Sequence, residues 1–246
     1  PLQLPQLFEG KPVQEVLKTI PMLYSVCATA QARAAASACR QALAVEVDAE
    51  INEAESVLVW LETAREHLWR ILIDWPEQLG EPVDRQQAAA LSQLIPDARN
   101  ALFDASAPAF SLKPRMNLDS ETLSRLSTRL AETLQQTAFG IPAESWLAFD
   151  EIATLKQWIA QQQTQAARYL SRIEEQGIER LGQSGVDPLP ELETLPLHDR
   201  LDQDDALEFI NAPEWQQQPR ETSPLTRQLA HPLIEAMLPL YGKGLF

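Results

Sequence analysis

The chain has 246 residues, of which 45% are hydrophobic and six are tryptophan. This composition is typical of a folded globular protein and excludes a disordered one. The formal net charge of −15 repels phosphate backbones and anionic lipid, so we expect neither nucleic acid nor a membrane surface as a partner. No segment has the pattern of a signal peptide or the ~20 apolar residues of a spanning helix. The sequence therefore predicts a cytoplasmic protein.

Apolar periodicity and the positions of proline predict helices through the first half of the chain. The predicted helices cover residues 11–20, 28–46, 47–75 and 84–105. The first has Pro12 in its first turn and ends at Pro21, the third ends at Pro76, and Pro96 interrupts the fourth. The third has the clearest apolar stripe, made by Ile51, Ala54, Leu58, Leu61, Leu68, Leu72 and Trp75.

The second half begins with a helix that Asp119-Ser120-Glu121 opens and Phe139-Gly140-Ile141-Pro142 ends. A long helix is predicted over residues 145–177, with Gly177 as its stop. Residues 183–223 are rich in proline and acidic side chains and predict an irregular crossing segment with one short helix or strand, before a closing helix from near Pro224 toward Leu240. The predicted fold class is mainly α: one single-domain helical bundle of long helices, with residues 1–182 as its main part.

The two cysteines, Cys27 and Cys39, are predicted to be independent thiols. On one helix, twelve residues separate them by about 18 Å, whereas a disulfide needs Cα atoms within roughly 7 Å. A cytoplasmic location would also keep them reduced. Cys27 stands where its helix would begin, and unpaired backbone N–H groups there would favour a thiolate. For Cys39, on an alanine-rich helix surface, we expect a packing role.

The motifs of common catalytic sites are absent from the sequence. It has no glycine-rich phosphate loop and no G-x-S-x-G elbow. The three histidines, at 67, 198 and 231, are far apart, and Glu66-His67 is followed by Arg70 and Ile71 where a second zinc ligand would stand. Glu62, Arg65 and Glu66 are interpreted as a solvated helix face. We therefore expect no turnover by the chain alone.

The stretch LFEGKPVQEVLKTIPMLYSVCATAQARAAASACRQALAV (residues 7–45) resembles the first conserved region of nickel–iron hydrogenase large subunits. In that family an E-G-[RK]-x-P-like stretch leads into C-x-x-C-x-x-x-H at the start of a long helix. The chain is more similar still to the HupK/HoxV-type hydrogenase maturation proteins, degenerate relatives of that subunit. Three later segments share this resemblance: REHLWRILIDWP (65–76), FGIPAESWLAFDEIATLKQW (139–158) and PRETSPLTRQLAHPLIEAML (219–238).

The departures from the family motif concern the metal ligands. Cys27 matches the cysteine that bridges nickel and iron, whereas Tyr24 stands at the terminal nickel cysteine and Gln31 at the histidine. The resemblance therefore implies the fold of the large-subunit core without hydrogenase activity, and no nickel. It also implies Cys27 as a candidate iron ligand, with Tyr24, Gln31, His67 and Arg227 as residues of the former metal pocket. Arg227 could instead anchor the last helix.

The resemblance implies a maturation scaffold. Such a scaffold would act between a small HypC-type chaperone and the hydrogenase large-subunit precursor. It would transiently hold iron with cyanide and carbon monoxide ligands through Cys27 and pass the unit on; a thiolate is a soft donor suited to such iron. Two alternatives remain: a metal-free chaperone or decoy that keeps the fold only to bind assembly partners, and a metal-free thiol-exchange role for Cys27.

Overall fold

The computed structural model describes residues 4–181, 185–187, 189–190, 192–211, 214–216, 218–220 and 228–241. Helices make up 66% of the chain, which confirms the predicted mainly α class. Backbone contacts group the chain into two compact units, Pro1–Gly140 and Ile141–Phe246, and each is described by itself. The predicted single domain stays a prediction. In the described part of the chain, no helix combines the length and the hydropathy needed to cross a bilayer.

From residue 4 onward, where its description begins, the first unit has seven α-helices and short turns of other helix types. In order they are a 3₁₀ turn (Leu4–Leu7), α1 (Val13–Thr19), a 3₁₀ turn (Ile20–Leu23), α2 (Ala28–Ala42), α3 (Ala49–Trp69), a π turn (Arg70–Asp74), α4 (Trp75–Leu79), α5 (Arg85–Leu91), α6 (Leu94–Leu102), α7 (Ser120–Leu134) and a second π turn (Gln135–Phe139).

Helices α2 and α3 pack as an antiparallel pair at the centre of this unit. Arg40, near the end of α2, bonds Glu55 in the first half of α3, while Thr29 at the start of α2 bonds Glu62 farther along α3. Small side chains on the buried face of α2, such as Ala36, let the two backbones approach closely. The predicted stripe of α3 forms the core, with Ile51, Ala54, Leu58, Leu68 and Leu72 all buried.

A buried ion pair ties this helix pair to the loop after α6. The guanidinium of Arg40 donates to both carboxylate oxygens of Glu55, at 2.7 and 2.9 Å, and also to the carbonyl of Ser111. Glu55 Oε1 accepts a third bond, 2.8 Å long, from the backbone N–H of Phe110. Both charged residues are almost fully buried, at 4% and 1% exposure. Because each charge has several partners, the pair can persist in a core of low polarity.

The third predicted helix continues past Pro76 and does not end there. A proline has no N–H and clashes with the carbonyl four residues earlier. Here the wider π turn takes up that mismatch, with Trp75 donating to the carbonyl of Arg70. The helix ends only at Gly80, whose left-handed backbone (φ 70°) closes it.

Two other predicted helices of this unit differ in their limits. The helix that was expected to reach residue 46 ends at Ala42, and Ala44 then adopts a positive φ of 50°. The break expected at Pro96 falls three to four residues earlier, at residues 92–93 between α5 and α6. Pro96 itself lies in the first turn of α6, where its missing N–H needs no partner. The opening of α7 is confirmed: Asp119 accepts a hydrogen bond from the backbone N–H of Thr122 at 3.1 Å.

The loop between α6 and α7 carries its own polar cluster. Asp104 accepts hydrogen bonds from the hydroxyl and backbone N–H of Ser106 and from Arg115. These bonds, the Ser106 hydroxyl first, lower the pKa of Asp104 to about 2.

The second unit contains six further helices and one small hairpin among its described residues. They are α8 (Ala143–Leu147), α9 (Ile152–Gln161), α10 (Gln165–Gln176), α11 (Thr194–Leu201), α12 (Ala206–Asn211), β1 (Glu214–Trp215), β2 (Gln218–Pro219) and α13 (Pro232–Tyr241). The strands pair antiparallel, with Glu214 opposite Pro219. Their presence in the C-terminal third agrees with the predicted fold class.

Three predictions for this unit need correction. The single helix over 145–177 is three helices, since Thr164 caps a new one by accepting from the N–H of Ala167; its stop at Gly177 is confirmed. The irregular segment holds two helices and a hairpin, more than the one element expected. The closing helix begins at Pro232, and residues 221–227, where its start was predicted, lie outside the described residues.

Candidate functional site

Cys27 lies at the N-terminus of α2 with its side chain exposed to solvent. Its carbonyl accepts the first backbone bond of the helix, from the N–H of Gln31 at 3.0 Å. The side-chain amide of Gln31 then turns back, and its nitrogen lies 3.8 Å from the Cys27 sulfur. The structure thus brings these two predicted residues together, one turn apart, with the amide as a hydrogen-bond donor to the thiol.

The approach to Cys27 is an exposed apolar segment. Tyr24, half-buried, follows the 3₁₀ turn and has an extended backbone that leads into the loop. Met22 on one side of it is 82% exposed and Val26 on the other is 52% exposed. The Cys27 thiol is therefore on an accessible surface, next to large apolar side chains that are exposed to water.

Glu62 of α3 caps the helix that Cys27 begins. Its carboxylate accepts from the backbone N–H of Thr29 at 2.8 Å and from that of Ala30 at 2.9 Å. Glu62 is only 4% exposed, so the prediction that it belongs to a solvated face is wrong. Cys27 itself makes no side-chain cap. The cap comes instead from Glu62, which is 33 residues beyond Thr29 in the chain.

This cap changes the electrostatics expected at the thiol. A helix N-terminus attracts negative charge through its unpaired N–H groups. Two of these groups in α2 are already donated to the Glu62 carboxylate. The N–H groups that were predicted to attract negative charge at Cys27 are therefore largely occupied by the Glu62 carboxylate.

Two arginines have interactions near the capped helix end. Arg65 pairs with Glu66 at 2.6 Å and reaches the carbonyl of Val26 at 3.5 Å. Burial lowers the pKa of Arg99, while the negative charge of Glu62 raises it. The Nε of Arg99 is buried and has no hydrogen-bond partner among the described residues. Of these two arginines, Arg99 interacts electrostatically with Glu62, whereas Arg65 pairs with Glu66.

His67 is not placed at this helix end. His67 is exposed on α3, and five residues beyond Glu62 it lies about 140° farther around the helix, away from the face that meets α2. Arg227 lies outside the described residues. In the described ranges no group of three or more His, Cys, Asp or Glu side chains could hold a metal ion.

Cys39, on the same helix, is half-buried against the central core. Its predicted packing role is confirmed. Both cysteines are free, as their spacing along one helix predicted.

Two cavities of the first unit lie elsewhere, along α7. One of about 530 Å³ is lined by Asp97, Asn100, Ala101, Asp119, Thr122, Arg125, Leu126 and Arg129. A second of about 210 Å³ is lined by Gln87, Ala90, Leu91, Leu94, Leu126, Arg129, Leu130 and Thr133. Neither is lined by Cys27, Tyr24, Gln31 or His67.

Sequence reasoning missed Glu62, although a local signal was present. Glu55 and Glu62 both fall on the buried stripe of α3, together with Ile51 and Leu58. Charged residues on an apolar stripe are buried only when they are paired. The spacing therefore indicates that Glu55 and Glu62 have ion-pair or hydrogen-bond partners, but it does not identify them.

Comparison with curated proteins shows similarity to two hydrogenase expression/formation proteins of Azotobacter. The chain is 30% identical over 131 residues to HupV of Azotobacter chroococcum mcd 1, a match that covers 53% of this chain and 37% of that protein. It is 34% identical over 86 residues to HupK of Azotobacter vinelandii, covering 35% of this chain and 25% of that protein. No family model matches the chain, and no solved structure does. The matches thus span between a quarter and two fifths of the length of these two relatives.

Proposed function

We propose that this protein acts in hydrogenase maturation as an accessory protein without turnover of its own. The similarity to HupV and HupK, both named as expression/formation proteins, supports this role. The names describe the assembly of an enzyme rather than a reaction.

In the finer form of this proposal, the protein is a scaffold that transiently holds an iron–cyanide–carbonyl unit through Cys27. The observation that carries it is the exposed Cys27 thiol at the start of α2, with the Gln31 amide 3.8 Å from its sulfur. Thiolate sulfur is a soft donor that suits iron with strong-field ligands. The Gln31 amide can donate a hydrogen bond to the same ligand set.

A single protein ligand suits a carrier. A preassembled unit already carries cyanide and carbon monoxide on its iron and needs only a place to dock, whereas a bare ion held by one protein ligand would bind weakly. Because Cys27 is exposed, the unit could arrive from a HypC-type chaperone and leave to the large-subunit precursor without opening the core. Both partners belong to the proposal.

The test is infrared spectroscopy of the protein purified together with a HypC-type chaperone. Bands of metal-bound cyanide and carbon monoxide are expected in the wild type and in Cys39→Ala, which keeps the exposed thiol. They are expected to be lost in Cys27→Ala. Bands that persist in Cys27→Ala would refute the role of this sulfur.

A metal-free chaperone or decoy is the second candidate. It is favoured by the Glu62 carboxylate on the N–H groups of Thr29 and Ala30, which puts negative charge beside a site for an anionic unit. In that case Cys27→Ala would still support hydrogenase maturation in cells and would still bind the same partners. Loss of maturation in Cys27→Ala, with binding retained, would exclude this alternative.

A further inference from the structure

Three leucines are exposed to water where α11 is followed by α12. Leu195 is 76% exposed, Leu207 is 74% exposed and Leu201, the last residue of α11, is 43% exposed. We call residues 193–208, which include α11 and the first turn of α12, the α11–α12 corner. Covering these side chains would remove apolar surface from water, which favours association with an apolar partner residue.

Arg200 joins the two helices of the corner. Its guanidinium donates to both carboxylate oxygens of Asp205, at 2.6 and 3.0 Å. It also lies 4.6 Å from the centroid of the Phe209 ring in α12, a cation–π contact. The one arginine of the corner is therefore already paired with a carboxylate of the same corner.

The remaining charge of the corner is negative. Six acidic residues against one arginine leave a formal charge of −5, a third of the −15 carried by the whole chain. Asp205 is paired with Arg200, and Asp199 has only His198, at 3.7 Å. Within the described ranges, no lysine or arginine lies within ion-pair distance of the other four acidic residues, which are Glu193, Asp202, Asp204 and Glu208.

Helix stability accounts for only part of this charge. Glu193 precedes α11 and Glu208 lies in the first turn of α12, and the helix dipole favours a negative charge at both positions. Asp199 and Asp202 lie at the C-terminal end of α11, where the dipole disfavours a carboxylate. These two aspartates therefore do not stabilise the helix that carries them.

The same two aspartates share a helix face with the most exposed leucine. Asp199 and Asp202 follow Leu195 by four and seven residues, a spacing that places all three on one side of α11. All three are exposed. This face therefore presents an apolar side chain with two carboxylates beside it.

We propose that the α11–α12 corner is a docking site for a basic, leucine-bearing helix of a partner protein. Basic side chains of that helix pair with Asp199 and Asp202, and one of its aliphatic side chains covers Leu195. Charge complementarity selects this occupant, because carboxylates without basic partners attract a cationic segment and repel an acidic one. A second copy of this chain carries the same net charge of −15 and is repelled. The proposal goes beyond the maturation role and does not depend on Cys27.

The test is fluorescence anisotropy of a fluorescein-labelled helical peptide, titrated with the full chain. The peptide has leucines at positions i, i+3, i+4 and i+7 and lysines elsewhere. Saturable binding is expected, weakening as salt is raised. The same peptide with glutamate in place of lysine should not bind.

Two double variants test the two parts of the surface separately. Asp199→Asn/Asp202→Asn removes the charge beside Leu195, and we expect the affinity for the lysine peptide to fall by about fivefold. Leu195→Ser/Leu207→Ser leaves the charge unchanged, and we expect a loss of about fivefold or more because less apolar surface is buried. Circular dichroism should show both variants folded, since all four side chains are exposed.

Each variant has a matched control. Glu53→Gln/Glu132→Gln makes the same change in net charge at two exposed positions of the first unit. Leu118→Ser/Leu147→Ser removes two leucines that are 61% and 60% exposed. Both controls should bind the lysine peptide within about twofold of the wild type.

Three outcomes would overturn the proposal. The first is that the wild type does not bind the lysine peptide. The second is that the aspartate variant and its glutamine control lose affinity equally, because the attraction would then come from the net charge of the whole chain. The third is that Leu195→Ser/Leu207→Ser binds like the wild type, because the leucines would then not be covered by the peptide.

Discussion

Replacing Glu62 by alanine is expected to lower the free energy of unfolding by about 3 kcal/mol. The side chain is 4% exposed and accepts two backbone bonds, at 2.8 and 2.9 Å, from Thr29 and Ala30. Hydrogen bonds to a charged acceptor contribute about 1.5–3 kcal/mol each. Their sum overstates the loss, because the variant also avoids the cost of burying a carboxylate. The N–H of Thr29, which is itself buried, would be left without a partner.

The assay is urea unfolding followed by circular dichroism, with the free energy taken from linear extrapolation. A loss of about 3 kcal/mol corresponds to a melting temperature about 6–12 °C lower in a chain of this size. Glu62→Gln keeps the shape and one acceptor oxygen, so it should lose about half as much, roughly 1.5 kcal/mol.

Glu66 provides the matched control one turn away on the same helix. It is partly exposed and pairs with Arg65, so Glu66→Ala should change the stability by no more than about 1 kcal/mol. Amide hydrogen exchange at Thr29 and Ala30 separates local fraying from a global change, and both amides should exchange faster in Glu62→Ala. If Glu62→Ala were as stable as Glu66→Ala, the buried cap would not contribute as described.

Three other predictions follow from particular contacts. Arg40→Met leaves Glu55 as an unpaired buried charge and should destabilise the protein by about 3–5 kcal/mol in urea unfolding; Arg40→Met/Glu55→Leu should be the less destabilised of the two variants, and equal losses would contradict this reading. Hydrogen bonds hold the pKa of Asp104 at about 2, below its ordinary 3.8. They therefore stabilise the fold at pH values above 3.8, and this contribution is lost as the pH falls through about 2. A midpoint near 3.8 in an NMR titration of this carboxyl group would contradict the prediction. Cys27 is exposed and Cys39 half-buried, so a thiol reagent should modify Cys27 at least about tenfold faster, as peptide mass mapping over time would show; comparable rates would refute the exposed position of Cys27.

Local chemistry determined where several helices begin and end. An aspartate before a helix satisfies N–H groups two or three residues away, and a glycine can adopt the left-handed backbone that closes one. Asp119 and Gly177 do this within a few residues of themselves, so the sequence alone predicts them. The stripe of α3 is similar, since apolar residues at helical spacing must face a core. Neither the helix ends nor the apolar stripe depends on contacts with distant segments, so both can be predicted from the local sequence.

The path of the chain at Pro76 was decided by packing. Proline disfavours a continuous helix, and this preference predicts an end at that point. Leu68, just before the π turn, and Leu72, within it, are buried together with Leu91. Burying these side chains together holds the helix on its course while the π turn accommodates the proline. The burial of apolar surface outweighed the tendency of Pro76 to end the helix.

The sequence by itself determined the mainly α class, the thiol at the start of a helix and the apolar stripe of α3. Only the tertiary structure decided what those groups meet. Glu62 reaches α2 across 33 residues and Glu55 reaches the N–H of Phe110 across 55. Such contacts depend on how helices pack together, and periodicity within one helix carries no information about its neighbour.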